Sequence, residues 1–163
     1  MLSSIQFLPV LPVLLAALLL PSSISPQANP GADAPPPDPN GCTLVVHVTG
    51  FRNQKGDAGG VIFSSPDGWP ENNEKAYQHG PFPITGDHAT VTFQHVKPGH
   101  YAVAVIHDEN MNHKLDRNFL GIPKEGFGFA NNPRVAFSAP SWAAAAIDVT
   151  CPTTSTDIRL IYK

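Results

Sequence analysis

The chain has 163 residues, with 10 Lys and Arg, 13 Asp and Glu, 7 His, 18 Pro, 13 Gly and 2 Cys. That length fits one domain, and from Gly41 onward the charges are 10 basic against 11 acidic, because only Asp33 and Asp38 precede it. A nucleic-acid partner would need a positive footprint, which this sequence lacks, and an acidic disordered tail is excluded equally.

The N-terminus reads as an address. Nine of the 18 prolines fall within the first 39 residues, and the first 32 residues carry no charged side chain. Ile5 to Leu20 is almost wholly apolar, but Pro9 and Pro12 interrupt it and only Val13 to Leu20 runs unbroken. A spanning helix wants about 20 apolar residues, so a signal-peptide core fits better than an anchor. Small residues at Ser23 to Ser25, Ala28 and Ala32 to Ala34 offer cleavage sites, although no Lys or Arg marks the start. The expected organisation is a signal peptide over 1–28, a Pro-rich linker over 29–40 and a β-sandwich domain over 41–163. No stable membrane anchor is expected after cleavage, and the expected location is extracytoplasmic, periplasmic or secreted.

Beyond Gly41 the pattern is β. Thr43 to Thr49 alternates, placing Leu44, Val46 and Val48 on one face. Val61 to Ser64 follows a glycine-rich turn at 56–60. Thr90 to Gln94 points Val91 and Phe93 inward, and Lys97-Pro98-Gly99 is turn chemistry. Tyr101 to Ile106 is apolar on both faces, as a central strand would be. Later candidates are Arg134 to Phe137, Ala146 to Thr150 and Thr156 to Tyr162, where Ile158, Leu160 and Tyr162 share a face. Glu71 to Gln78, entered through Pro70, reads as one short helix. The expectation is an all-β fold, an antiparallel β-sandwich of about seven strands with that helix.

Cys42 opens the first strand and Cys151 ends a later one. Two thiols in an exported chain pair by default, and no Cys-x-x-Cys spacing supports a redox role. A disulfide between them is expected.

The segment after the central strand is the richest in chemistry. Asp108, Asn110, Asn112 and Asp116 occupy positions 1, 3, 5 and 9 of a loop, an alternation that wraps oxygens around Ca²⁺. Position 6 is His113 rather than glycine, and position 12 is Phe119 rather than glutamate. The competing reading is an Asx-rich turn bonded to its own backbone. His95, His100, His107 and His113 lie near the same turns, but no spacing among them matches a known Zn²⁺ or Cu²⁺ arrangement. Serine-nucleophile and nucleotide-loop signatures are absent.

Asn118 to Pro133 is too glycine-rich for a regular strand and too aromatic for a solvated loop. Phe119, Phe127 and Phe129 either plug the end of the sandwich, the simpler reading, or form a recognition surface. Candidate ligand-binding residues here are Lys124, Glu125, Phe127, Phe129, Asn131 and Asn132.

The runs Tyr101 to Asn110, Leu115-Asp116 and Phe119 to Asn132, with Gly121-Ile122-Pro123-Lys124-Glu125-Gly126 inside the last, closely resemble the bacterial family catalogued as domain of unknown function 2141. Val61 to Pro70 and Lys97 to Tyr101 are similar to it too, so the resemblance covers about residues 42 to 162. It implies an exported bacterial β-sandwich, transthyretin-like or immunoglobulin-like, and no particular activity. Family members often carry glycines where this chain has Met111 and His113. The expected function is a non-enzymatic binding or structural module, with an unknown protein or small ligand as partner and Ca²⁺ as the candidate cofactor at Asp108, Asn110, Asn112 and Asp116. The alternatives are a metal-assisted hydrolase using His107, Asp108 and His113, or a carrier of a small hydrophobic ligand walled by Phe127, Phe129 and Trp142. A concave apolar pocket under 119–132 would favour the carrier.

Overall fold

A computed structural model describes residues 41–163. The expected signal peptide and Pro-rich linker lie outside these residues. The strands in chain order are β1 (Cys42–Thr49), β2 (Asp57–Phe63), β3 (Gln78–Phe82), β4 (Ile84–Thr85), β5 (His88–Val96), β6 (Gly99–Asp108), β7 (Gly126–Phe129), β8 (Ala146–Val149) and β9 (Thr153–Arg159). They form two sheets. One is ordered β4-β5-β1-β9, and the other β3-β2-β6-β7 with β8 also paired to β6. Every pairing is antiparallel except β1 with β9, which is parallel. The all-β sandwich expected from the sequence is therefore present, with nine strands rather than seven.

Alternation in the strands builds the core between the sheets. Leu44, Val46 and Val48 of β1, Val91 and Phe93 of β5, and Ile158 all point inward and are buried. Ile62 of β2 with Val103 and Val105 of β6 meet them from the other sheet. Each such side chain stabilises the fold by about 1.5–3 kcal/mol through water removed.

The five-stranded sheet is also covered outside. Val61, Phe63, Ala102, Ala104, Phe127 and Phe129 form a second apolar cluster on its far face. Trp69 and Trp142 roof one end, and their indole N–H groups donate to the carbonyls of Pro140 at 2.9 Å and Phe63 at 3.0 Å. This explains why β6 reads as apolar on both faces: apolar side chains pack against both.

Several local expectations are corrected. The glycine-rich 126–129 segment is a strand, because its glycines face inward and its rings face outward. A Cβ on Gly126 would stand 2.5 Å from the Tyr162 ring, and one on Gly128 2.5 Å from Ile158 Cγ2. Glycine here permits close approach to the end of β9 and to Tyr162 beyond it. Asp57 to Gly60 belongs to β2 rather than to a turn. The expected helix over 71–78 is only a 3-10 turn at Asn73–Lys75, capped where Asn72 Oδ1 accepts the Glu74 N–H. It buries no residue, and the Tyr77 N–H already donates to the Ile62 carbonyl, returning the chain to the sheet. A second 3-10 turn spans Trp142–Ala145. Arg134 to Phe137 is not a strand. Positive φ at Asn131 and Asn132 turns the chain off the sheet before Pro133, leaving Phe137 fully exposed.

Cys42 and Cys151 form a disulfide across 109 residues of sequence, as expected. It joins the start of β1 to the β8–β9 connection, beside the parallel pairing that closes the four-stranded sheet. Replacing both cysteines with serine is expected to cost about 4–5 kcal/mol by the chain-entropy relation. Urea unfolding of the variant against the oxidised protein checks this, and equal midpoints would contradict it.

Candidate functional site

The outer face of β3-β2-β6-β7 is the floor of a cleft of about 1170 Å³. Gly59, Val61, Ala104, Ile106, Phe127 and Phe129 form that floor. Two loops stand over it. One wall carries Leu115, Leu120, Gly121, Ile122 and Pro123; the other carries Val135 to Ala139. The volume lies just above the range of about 300–1000 Å³ usual for small-molecule pockets, room enough for a small organic ligand. Among the charged wall residues cations predominate: Lys114, Arg117 and Lys163 face a single acidic residue, Glu71, which pairs with Arg117.

The expected ligand-binding residues divide sharply. Phe127 and Phe129 line the cleft, so they do not plug the sandwich end. Phe119 neither plugs it nor packs; it is 95% exposed. Glu125 is buried, and its two carboxylate oxygens accept the N–H groups of Glu109 and Asp116 at 2.9 Å each. That carboxylate ties both ends of loop 108–116 together. Lys124 is exposed; its N–H donates to the Asp116 carbonyl, and its own carbonyl accepts from Arg52. The Asn131 amide donates to the Ala146 carbonyl at 2.9 Å. Asn132 grips the outer edge of β9, donating to the Asp157 carbonyl and accepting the Arg159 N–H. Trp142 packs on the outer cluster beside the cleft and is not among its lining residues.

Asp108, Asn110, Asn112 and Asp116 do come together. Asp108 Oδ1 accepts the Asn112 N–H at 3.1 Å, and Oδ2 accepts the His113 N–H at 2.6 Å. Asn110 and Asn112 repeat the Asx turn, accepting the N–H groups of Asn112 and Lys114. Both amides then donate to the two oxygens of Asp116. Met111 and His113 take positive φ, the conformation that glycine adopts most readily. Each accepting oxygen keeps a second lone pair.

A buried polar network lies behind this loop. His107 is fully buried; its Nε2 donates to the Lys55 carbonyl and its Nδ1 accepts from Tyr162, each at 2.8 Å. The Nε2 assignment follows because a carbonyl can only accept. Tyr162 Oη accepts the Arg52 N–H, and the Arg52 guanidinium lies over the Tyr162 ring and pairs with Glu109. Burial pushes the Tyr162 hydroxyl up, with Glu109 adding to the effect against Arg52, so it remains a donor. Burial alone would raise the Glu109 carboxyl, but hydrogen bonds from Asn53 and Arg52 and the charge of Arg52 hold it low. With both ring nitrogens occupied and no exposed surface, His107 has no access to a substrate. Asp108 is equally buried, so the arrangement offers a hydrolase only His113. His100 pairs with Asp148 at the opposite end of β6. Among the described residues, no three His, Cys, Asp or Glu side chains converge as a metal-binding group.

Sequence reasoning found Phe127 and Phe129 but missed the rest of the cleft floor, Gly59, Val61, Ala104 and Ile106. Its signal was present in β6, whose second apolar face, Ala102, Ala104 and Ile106, needed a cover other than the first core.

Fold and cleft together define an all-β sandwich with a ligand-sized apolar recess on one outer face. The chain matches the family described as an uncharacterized protein conserved in bacteria (DUF2141) over residues 46–157, more than half its length, and belongs to that family. No curated protein and no solved structure matches it.

Asp57 gives this region a measurable pH dependence. It faces Asp108 across the β2–β6 ladder, and its Oδ1 is buried without a hydrogen-bond partner among the described residues. Burial first, then the charge of Asp108, raises its carboxyl above 3.8, while His113 and His107 work the other way. A raised carboxyl means the folded state binds the proton more tightly, so ionised Asp57 costs stability at neutral pH. Asp57→Asn is expected to raise the melting temperature at pH 7 and to lose that advantage as the pH falls to 3.8. A variant that melts below wild type at pH 7 would contradict this.

Proposed function

We propose that this chain is an exported binding module that carries a small apolar molecule in the cleft on the outer face of its five-stranded sheet. The observation that carries the reading is the cleft itself, about 1170 Å³ floored by Val61, Ile106, Phe127 and Phe129. A sheet face that served only as core would be closed over, as the inner face is. The cationic bias of the walls favours a ligand with an acidic head over a neutral or basic one. Export is supported by the apolar leader and Pro-rich spacer of the sequence and by the Cys42–Cys151 disulfide, since oxidising compartments preserve such bonds. Among the described residues no helix is long and apolar enough to cross a membrane.

The test is titration with a fluorescent fatty-acid analogue. Wild type is expected to bind it, and Ile106→Trp, which fills the floor from a half-buried position, to weaken binding at least about tenfold. That factor corresponds to about 1.4 kcal/mol. Equal binding by both proteins, or none by wild type across a panel of apolar acids, would overturn the carrier reading.

Loop 108–116 supports a second role, a Ca²⁺ brace beneath one wall of the cleft. Its support is the gathering of Asp108, Asn110, Asn112 and Asp116 within one turn, with Asp57, whose Oδ1 is buried and unpartnered among the described residues, opposite Asp108. A cation would take the second lone pairs of those oxygens and relieve the crowding of negative charge. At a hundredfold excess over its dissociation constant it would add about 2.7 kcal/mol, several degrees of melting temperature. Millimolar Ca²⁺ is expected to raise the melt of wild type relative to chelator and to leave Asp108→Ala unmoved, below both. Identical wild-type melts in the two buffers would leave the Asx turns without an ion.

A further inference from the structure

The surface around the cleft mouth differs from the rest of the domain in two independent ways. The exposed large hydrophobic residues of the described chain are Met111, Phe119, Leu120, Ile122 and Phe137, and all lie on the two loops that wall the cleft. Phe119 is 95% exposed and Phe137 fully so. Neither belongs to the two apolar clusters that make up the core. Isolated exposed apolar residues are ordinary on a protein surface, but their confinement to one rim is not.

Charge is segregated to the same place. Segments 111–124 and 133–139 hold four cations, Lys114, Arg117, Lys124 and Arg134, and one acid, Asp116. The Asp116 carboxylate is already held by the Asn110 and Asn112 amides. Elsewhere from Gly41 onward there remain 6 basic residues and 10 acidic ones. Arg117 has Glu71 as its partner, whereas Lys114, Lys124 and Arg134 have no carboxylate partner among the described residues. Aromatic side chains on loop tips amid cations match the boundary of a bilayer that carries negative headgroups: rings enter the interface and ammonium groups meet phosphate.

We propose that the two loops framing the cleft form a reversible docking surface for an anionic lipid bilayer, with Phe119 and Phe137 entering the interface. A second copy of the chain fits less well. A two-fold contact through this rim would set its excess of cations against an identical excess. The proposal rests on the rim and not on what the cleft holds. If the carrier reading also stands, the cleft opens at the membrane surface.

The experiment is co-sedimentation of the protein, as the cell processes it, with vesicles of phosphatidylcholine alone or of phosphatidylcholine and phosphatidylglycerol in about 7:3 ratio. The expected result is binding to the anionic vesicles at least about tenfold stronger than to neutral ones, falling severalfold in 0.5 M salt, roughly as screening requires. Phe119→Ser/Phe137→Ser and Lys114→Glu/Lys124→Glu are each expected to cut that binding at least about tenfold with melting temperatures near wild type, since all four positions are exposed. Because these variants leave the N-terminal segment untouched, their loss of binding assigns it to the rim. Equal sedimentation of wild type and the phenylalanine variant would overturn the proposal, as would no sedimentation of wild type with anionic vesicles. So would a dimer in size exclusion that the same substitutions dissolve, which would give the rim to a second copy.

Discussion

Strand β6 must be covered on both faces, and the rest of the structure follows from how that is done. It is the strand to which β2, β7 and β8 all pair, and its residues alternate between Tyr101, Val103 and Val105 on one side and Ala102, Ala104 and Ile106 on the other. Exposure of either face would forfeit several side chains' worth of burial, at about 1.5–3 kcal/mol each for the larger ones. The four-stranded sheet covers the first face completely. The second has only loops and two tryptophans, and loops close a flat sheet imperfectly. The cleft is the part left open.

Polar chemistry in this protein mostly serves to hold those loops in place. Glu125 bonds both ends of loop 108–116, Asp108 closes it on itself, and Arg52 links the β1–β2 connection to Glu109 and to the Lys124 carbonyl. Buried carboxylates are tolerated here because each accepts backbone N–H groups or a guanidinium, which offsets their desolvation. Asp57 Oδ1 lacks such a donor; Glu109 Oε1 also lacks a hydrogen bond but has the Arg52 guanidinium beside it. Asn132 has a different task. By pairing with β9 where no strand does, it blunts an edge open to unwanted pairing.

The strands with a plain pattern were legible in the sequence: β1 and β5, which alternate, and β6, apolar on both faces, stand where that pattern puts them, and the two cysteines pair. Period-two patterning reports which residues face a sheet partner, and that information is local. What was not legible depended on contacts from far along the chain. Gly126 and Gly128 read as loop because nothing nearby reveals that Tyr162 and Ile158 will press against them. Arg134 to Phe137 has strand composition but meets no partner after the Asn131-Asn132 turn. The family resemblance was legible through Gly121 to Gly126, of which Gly121, Ile122 and Pro123 line one wall of the cleft. At the candidate site, Phe127 and Phe129 were visible as unusual residues. The glycine and alanine floor between them was not, because small residues signal a recess only once the sheet is assembled.

On our proposal the outer sheet face is left open to receive a molecule rather than merely closed imperfectly. Organic extraction and mass spectrometry of the protein, purified without denaturation from cells that produce it, test this most directly. The expected result is one apolar small molecule in near-stoichiometric amount, bearing an acidic group. Extracts free of any such molecule, from a protein that also takes up none when apolar acids are supplied, would contradict it.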